Sequence, residues 1–409
     1  MRASYIAPLA VLIASAAQAG PLTYEQAIAR AVAGAPGAVA ARAGIDAATA
    51  DARAAGSLPD PRLAIGFDNY PVSGPPAFSP SEENMAMARI GVQQDVPNLA
   101  KRHAAQAQAR AAVTSAEAAQ AGRLRQIRLG TGLAWIDLFY AERRLARIDE
   151  LLGSLRALPA AARSAVASGA ARPAQPLGVD QAIAGLEDRR DEFVAAVARD
   201  RASLERWTGV KASATLGGPP DAMLDPVRLR QALARHPDIF AADASVRRAQ
   251  ADIDAARAET RPDWGFSVAY QRRAPRFGDM VSAGVTMSLP LFTRGRQELR
   301  ITARLSAAAQ AQAEREDTRR ALAADLESGL ADHVMHHAQW MRARDTLVPL
   351  ARKRAELETA SYAAGRAGLT DAIETRTALA DAELTALDRE AEVVRDAVRL
   401  TLTYGSAPQ

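Results

Sequence analysis

The sequence predicts a mainly helical protein of two similar halves, each a long-helix, two-strand, long-helix unit, with a small β portion built to face a membrane. Three observations predict it. A helix start, two short strands and a very long proline-poor stretch run from about Leu22 to Trp207, and the same order returns from about Leu224 to Tyr404. All four strand segments alternate apolar with small or polar residues, which is the period of a two-faced strand. The chain has no cysteine, and its mature part lacks the run of about eighteen apolar residues that a membrane helix needs. A repeat of roughly two hundred residues is far too long for a solenoid.

In chain order, residues 1–19 read as a signal peptide: Arg2, an apolar stretch from Ile6 to Ala16, and Ala17-Gln18-Ala19 as a small-x-small cleavage site. The first repeat is expected over 20–210, with strands near 61–70 and 87–97 and a long helix near 98–166. Thr23 and Gln26 form a capping box at its start. A linker at 211–225 leads to the second repeat, 226–405, with strands near 263–272 and 281–291, a long helix near 292–362, and a tail at 406–409. Asp225 is the N-cap there and Pro226 the first helical residue. Pro59-Asp60 matches Pro262-Asp263, and Val96-Pro97 matches Leu289-Pro290.

The strands set Leu63, Ile65 and Phe67 against Ala64, Gly66 and Asp68, and Ala88, Ile90 and Val92 against Arg89, Gly91 and Gln93. In the second half Trp264, Phe266, Val268 and Tyr270 oppose Gly265, Ser267, Ala269 and Gln271. Val281, Ala283, Val285, Met287 and Leu289 oppose Ser282, Gly284, Thr286 and Ser288. One apolar face and one small polar face suit lipid outside and water inside. Four strands cannot close a membrane barrel alone, so this reading predicts an oligomer. A pair of soluble hairpins packed on helices is the plainer alternative.

Each proline-free run, Asn98 to Leu158 and Leu291 to Val348, would make a helix about 90 Å long. Leu124, Ile127, Thr131, Ala134, Leu138, Ala141, Leu145, Ile148, Leu152 and Leu155 follow a 3-4 spacing, a heptad seam. Leu129, Ile136 and Phe139 start a second stripe, so this helix has neighbours on two sides. Leu384, Leu387, Ala391, Val394 and Val398 repeat the pattern in the last helix.

The net charge of +4, with both signs interspersed, does not point to nucleic acid. No phosphate loop, metalloprotease pattern or cysteine nucleophile is present, so an enzyme is not expected, nor a cofactor. His333 and His337 are four apart on one helix and could pair on a metal, with Met335 and Met341 suited to a soft ion. Interhelical hydrogen bonding is the commoner use of such histidines.

Three stretches carry a resemblance: Leu22-Thr23-Tyr24-Glu25-Gln26-Ala27, Ser288-Leu289-Pro290-Leu291-Phe292-Thr293-Arg294-Gly295-Arg296, and Tyr362-Ala363-Ala364-Gly365-Arg366-Ala367-Gly368-Leu369-Thr370-Asp371-Ala372-Ile373-Glu374. With them the chain resembles the TolC-type outer-membrane efflux channel family over essentially its whole mature length. Its shortness is similar to the heavy-metal (cobalt-zinc-cadmium or copper) branch. The resemblance implies a homotrimer in the outer membrane of a Gram-negative bacterium, with a twelve-stranded barrel in lipid and a helical tunnel through the periplasm. It implies a periplasmic adaptor (a membrane fusion protein) and an inner-membrane pump, the RND type favoured, as partners. Metal cations, drugs or a secreted protein are the cargoes to weigh; a soluble periplasmic coiled-coil adaptor or scaffold is the alternative of another class.

The resemblance also implies a pore gate at Asp371 and Glu374, in a turn supported by Tyr362, Gly365 and Arg366. The two residues read by themselves also suit an N-cap and a solvated helix face. The first-half turn, around Gly169, Arg172 and Asp180, departs further from the family pattern. With the second turn it is the expected adaptor-docking surface.

Overall fold

The computed structural model describes residues 20–405 except 76, 157, 170, 171, 212 and 213. The expected signal segment, 1–19, and the tail, 406–409, lie outside the described residues. In chain order the elements are α1 (Tyr24–Gly34), α2 (Pro36–Ala54), β1 (Arg62–Asp68), β2 (Met87–Val96), α3 (Leu99–Leu155), α4 (Leu158–Ala167), α5 (Gln175–Thr208), α6 (Pro226–Ala232), α7 (Pro237–Ala258), β3 (Trp264–Arg272), β4 (Met280–Met287), α8 (Gln297–Arg342), α9 (Val348–Ala363) and α10 (Leu369–Tyr404). No described helix is long and apolar enough to cross a membrane.

The compact units do not follow the sequence repeat. Among the described residues one comprises 20–39, 123–234 and 323–405, and the other 40–122 and 235–322. Each therefore draws on both sequence repeats. The cause is visible in both units: the strands pair across the halves, and so do the helix seams.

The second unit holds an antiparallel sheet of order β1-β2-β3-β4. The β2–β3 pairing joins the halves, with Ile90 opposite Tyr270 and Val92 opposite Val268. Beneath it Asn98 and Asp263 tie the strand ends together. Asn98 caps α3 by accepting from the Lys101 N–H (3.0 Å). Its own N–H and its side-chain amide both donate to Asp263 Oδ1 at 2.9 Å, and Lys101 pairs with the same carboxylate. The Asp263 N–H donates to Ser288 Oγ (2.7 Å) and the Ser288 N–H to the Asp263 carbonyl (2.9 Å). That exchange, followed by Pro290, ends β4 at Met287 and not near residue 291. Helix α8 starts at Gln297, later than expected, because the Thr293 carbonyl takes the N–H groups of Arg296 and Glu298 in a turn.

The first unit is built on the seam of α3. Ile127, Thr131, Ala134, Leu138, Ala141, Ile148 and Leu155 are buried, as are Leu384, Ala391, Val394 and Val398 of α10. At its centre Trp135, in neither stripe, is fully buried, stacks on Phe139 (5.2 Å) and donates from Nε1 to the Leu22 carbonyl (2.8 Å). Leu22 forms a parallel bridge with Thr215, so the linker is pinned to the chain start; Thr215 Oγ1 donates to Glu142 at 2.7 Å. Both expected caps are present: Thr23 with Gln26 as a capping box, and Asp225 accepting from Val227 and Arg228.

The expected helix over 98–166 is broken after Leu155. Pro159 sits at the second position of α4, where its missing N–H costs nothing. The second half solves the same problem differently. Ala343–Leu347 form a π turn, closed by the Val348 N–H on the Ala343 carbonyl, just before Pro349. The wider turn relieves the clash of the proline ring with the preceding turn's carbonyl, and the helix continues into α9.

Candidate functional site

The first site is the face of the sheet. Register places Leu63 beside Val92, Ile65 beside Ile90, Val268 beside Ala283 and Phe266 beside Val285, all on one side. These side chains are exposed: Ile65 by 74%, Val281 by 71% and Val268 by 57%. So large a continuous apolar face calls for an apolar partner. Aromatic residues stand at both ends, with Trp264 at the α-helical end and Phe67, Tyr70 and Tyr270 at the other, the placement that a membrane girdle would require.

The opposite face is small and polar because the strands crowd there. A Cβ on Gly91 would meet Ala269 Cβ at 2.8 Å, and one on Gly265 would meet Thr286 Oγ1 at 2.5 Å. Polar groups bond one another on it: Gln271 Nε2 donates to Ser282 Oγ (2.6 Å), Gln93 Nε2 to Asp95 Oδ1 (3.1 Å), and Arg62 pairs with Asp95. Gly91, Gly265 and Gly284 were the sequence signal for this crowding, whereas a Cβ on Gly66 would meet nothing.

The second site is the turn between α9 and α10. Gly365 takes a left-handed conformation (φ +71°). The Arg366 N–H reaches the Ser361 carbonyl and the Gly365 N–H the Tyr362 carbonyl, both at 2.9 Å, which is a Schellman cap. Asp371 reaches back to accept from the Gly368 N–H at 3.0 Å, half of a capping box. Leu369, Ala372, Ile373 and Thr375 are buried, with Leu369 and Ile373 packed on Ile148, Leu155 and Val179. Asp371 and Glu374 consequently point away from that core and are exposed. The hydrogen bonds that Tyr362, Gly365 and Arg366 give this turn come from their backbones. Among the described residues the Tyr362 hydroxyl and the Arg366 guanidinium hold no partner, and both are exposed.

In the first-half turn Gly169 is also left-handed (φ +77°), and its N–H bonds the Val166 carbonyl at 3.0 Å. Asp180 lies 3.6 Å from Arg163 across α4 and α5, and Arg172 is exposed. So the structure brings Tyr362, Gly365, Arg366, Asp371 and Glu374 to one turn, and Gly169, Arg172 and Asp180 to another.

Sequence reasoning missed the ion pairs that clip α10 to its neighbours. Arg144 and Asp388 meet at 2.6 Å, Arg189 pairs with Asp381, and Arg395 with Asp137. Glu383 takes both Arg147 of α3 (3.5 Å) and Arg352 of α9 (3.0 Å) while only 14% exposed. The partners lie up to 258 residues apart in sequence, so no local pattern announces them. Near Tyr140, burial raises the Glu390 carboxyl above its usual range, with Arg143 opposing the shift.

The histidines do not converge on a metal. His333 and His337 have ring centres 6.3 Å apart; His333 is buried, with its Nδ1 unpaired among the described residues. His336, which the spacing did not single out, pairs with the buried Asp396 at 2.7 Å. No group of three or more metal-ligating side chains of the His, Cys, Asp and Glu types occurs among the described residues. Burial lowers the His333 pKa below the ordinary histidine value. The unfolded chain then binds the proton more readily, so stability falls as pH drops below about 6.5. We expect His333→Gln to flatten that part of the pH profile of thermal unfolding, read from helical circular dichroism; an unchanged acid slope would rule His333 out as its source.

Residues 229–406 match the family model described as "Outer membrane efflux protein". No curated protein matches the chain in sequence. Among solved structures, a membrane protein from Pseudomonas aeruginosa superposes with a TM-score of 0.81 at 17% identity, covering 93% of this chain and 90% of that one. The CmeC outer membrane channel of Campylobacter jejuni gives 0.78 at 11% identity, covering 93% and 85%. The open state of the MtrE outer membrane channel of Neisseria gonorrhoeae gives 0.75 at 16% identity, covering 93% and 88%. The family match falls on the second half, where the turn of Tyr362 to Glu374 is intact.

Proposed function

We propose that this chain, which carries an outer membrane efflux protein domain over residues 229–406 and the fold of TolC-type channels, is the outer-membrane conduit of a tripartite efflux system. One observation carries the reading. The sheet has an exposed apolar face on all four strands, and it ends at β1 and β4, each paired on one side only. Strand edges cannot be left open in lipid. Three copies would supply twelve strands and close them into a barrel, and the small polar faces of the strands would line its water-filled interior.

The chain performs no chemistry in this role. A pump in the inner membrane, of the RND type, supplies the energy, and a periplasmic adaptor docks at the turns around Gly169, Arg172 and Asp180 and around Gly365 and Arg366. The cargo is set by the pump. A metal-cation cargo rests on the branch resemblance alone, since His333 and His337 gain no third ligand.

In the trimer Asp371 and Glu374 would form an acidic ring at the periplasmic aperture, attracting cations and resisting closure by like-charge repulsion. The purified protein should leave the outer-membrane fraction only with detergent, run as a trimer and conduct ions in planar bilayers. A soluble monomer in the periplasmic fraction would sink the reading. Asp371→Ala with Glu374→Ala should weaken block by multivalent cations about tenfold, the loss expected from roughly 1.4 kcal/mol of binding. An unchanged block would remove the pair from the aperture.

A further inference from the structure

Beyond the end of β4 the chain keeps exposing apolar side chains and then turns cationic. Leu289 and Leu291 are exposed, the latter by 73%, and Phe292 by 90%. The segment is held by its own backbone: the Leu291 N–H bonds the Leu289 carbonyl (2.9 Å), and the Arg296 N–H bonds the Thr293 carbonyl (3.2 Å). Arg294 and Arg296 follow at once, both exposed. Trp264 opposes Met287, so Arg261, three residues before β3, lies at the same end of the sheet.

Four neighbouring cations there are neutralised. Lys101 pairs with Asp263, Arg62 with Asp95, Arg257 with Asp254 and Arg300 with Glu259. Among the described residues, Arg261, Arg294 and Arg296 have no carboxylate within ion-pair distance. Three uncompensated guanidinium groups therefore edge an apolar rim that is continuous with the exposed face of the sheet.

We propose that this rim is a binding surface for anionic phospholipid headgroups of the periplasmic leaflet. Phe292, Leu291 and Leu289 sit among the acyl chains, and Arg294, Arg296 and Arg261 hold the lipid phosphates. The guanidinium fork matches phosphate oxygens in pairs, and an aromatic beside it suits the headgroup level. Basic side chains at such a boundary favour anionic over zwitterionic lipid. The proposal rests on the sheet being the membrane-spanning part.

The test is native mass spectrometry of the detergent-purified trimer offered equal amounts of phosphatidylglycerol and phosphatidylcholine. The native protein should retain the anionic lipid with at least about a fivefold preference, and Arg294→Gln with Arg296→Gln should bring the ratio close to one. Equal retention by the native protein, or a preference that survives in the double variant, overturns the proposal. Conductance of both proteins in pure phosphatidylcholine bilayers is recorded alongside. Its absence from both overturns the membrane barrel itself, whereas normal conductance without lipid preference overturns only the arginine rim.

Discussion

Val268→Arg is expected to abolish assembly into the membrane, while Gln93→Arg leaves assembly intact and lowers cation conductance. Val268 is the middle residue of β3, with Val92 on one side and Ala283 on the other, and its side chain is exposed on the apolar face. An arginine at the mid-height of a lipid-facing strand costs about 2–4 kcal/mol per copy. Three copies in one barrel would raise that to roughly 6–12 kcal/mol, comparable to the whole stability of a domain. Gln93 belongs to the opposite face, beside Asp95, where water would solvate the new charge. The readout is the amount of trimer in the outer-membrane fraction. Native levels of the Val268→Arg trimer would mean that this face does not meet lipid.

The second large effect is Trp135→Ala, which should destabilise the first unit by about 3–5 kcal/mol. The indole is fully buried between Phe139 and Tyr24, whose ring centre lies 5.7 Å away; the same burial pushes the Tyr24 phenol up to about 12. Most of the loss comes from the cavity. The Leu22 carbonyl keeps a second donor, the Leu216 N–H at 2.9 Å, so it is not orphaned. Trp135→Phe should therefore cost much less, about 1 kcal/mol for the hydrogen bond plus the smaller volume change. Denaturant unfolding followed at 222 nm separates the two, and equal midpoints for Trp135→Ala and the native chain would refute this account of the core.

What could be read from the chain follows from the range of each interaction. Strand faces were legible because Val268 and its neighbours alternate within one short segment. The α3 seam was legible because Ile127, Thr131 and Ala134 repeat within two turns, and Thr23 with Gln26 announced a cap from three residues away. The ends of β4 and the start of α8 were not, because the Asp263–Ser288 exchange spans two strands. Asp371 was recognised as a helix-start residue, yet its burial-free outward direction depends on Leu369 and Ile373 packing against α3 and α5. The Arg144–Asp388 and His336–Asp396 pairs belong to helices that meet only in the folded chain. The two prolines, Pro159 and Pro349, look alike in sequence and differ only in what the preceding turn does.

That π turn has the arithmetic of an inserted residue. Five residues do there what four do in an ordinary turn, so everything after Leu347 is rotated by about 100° relative to an uninterrupted helix. Aligned residue by residue against a chain without the bulge, α9 would appear one position out of phase from Pro349 to the turn at Gly365. The insertion and the proline would have to be gained or lost together, since deleting one residue from 343–347 alone would swing Arg352 away from Glu383 and present a different side of α9 to its neighbours. Comparisons across relatives should therefore place their gap at Ala343–Leu347 before reading anything into the residues of the turn between α9 and α10.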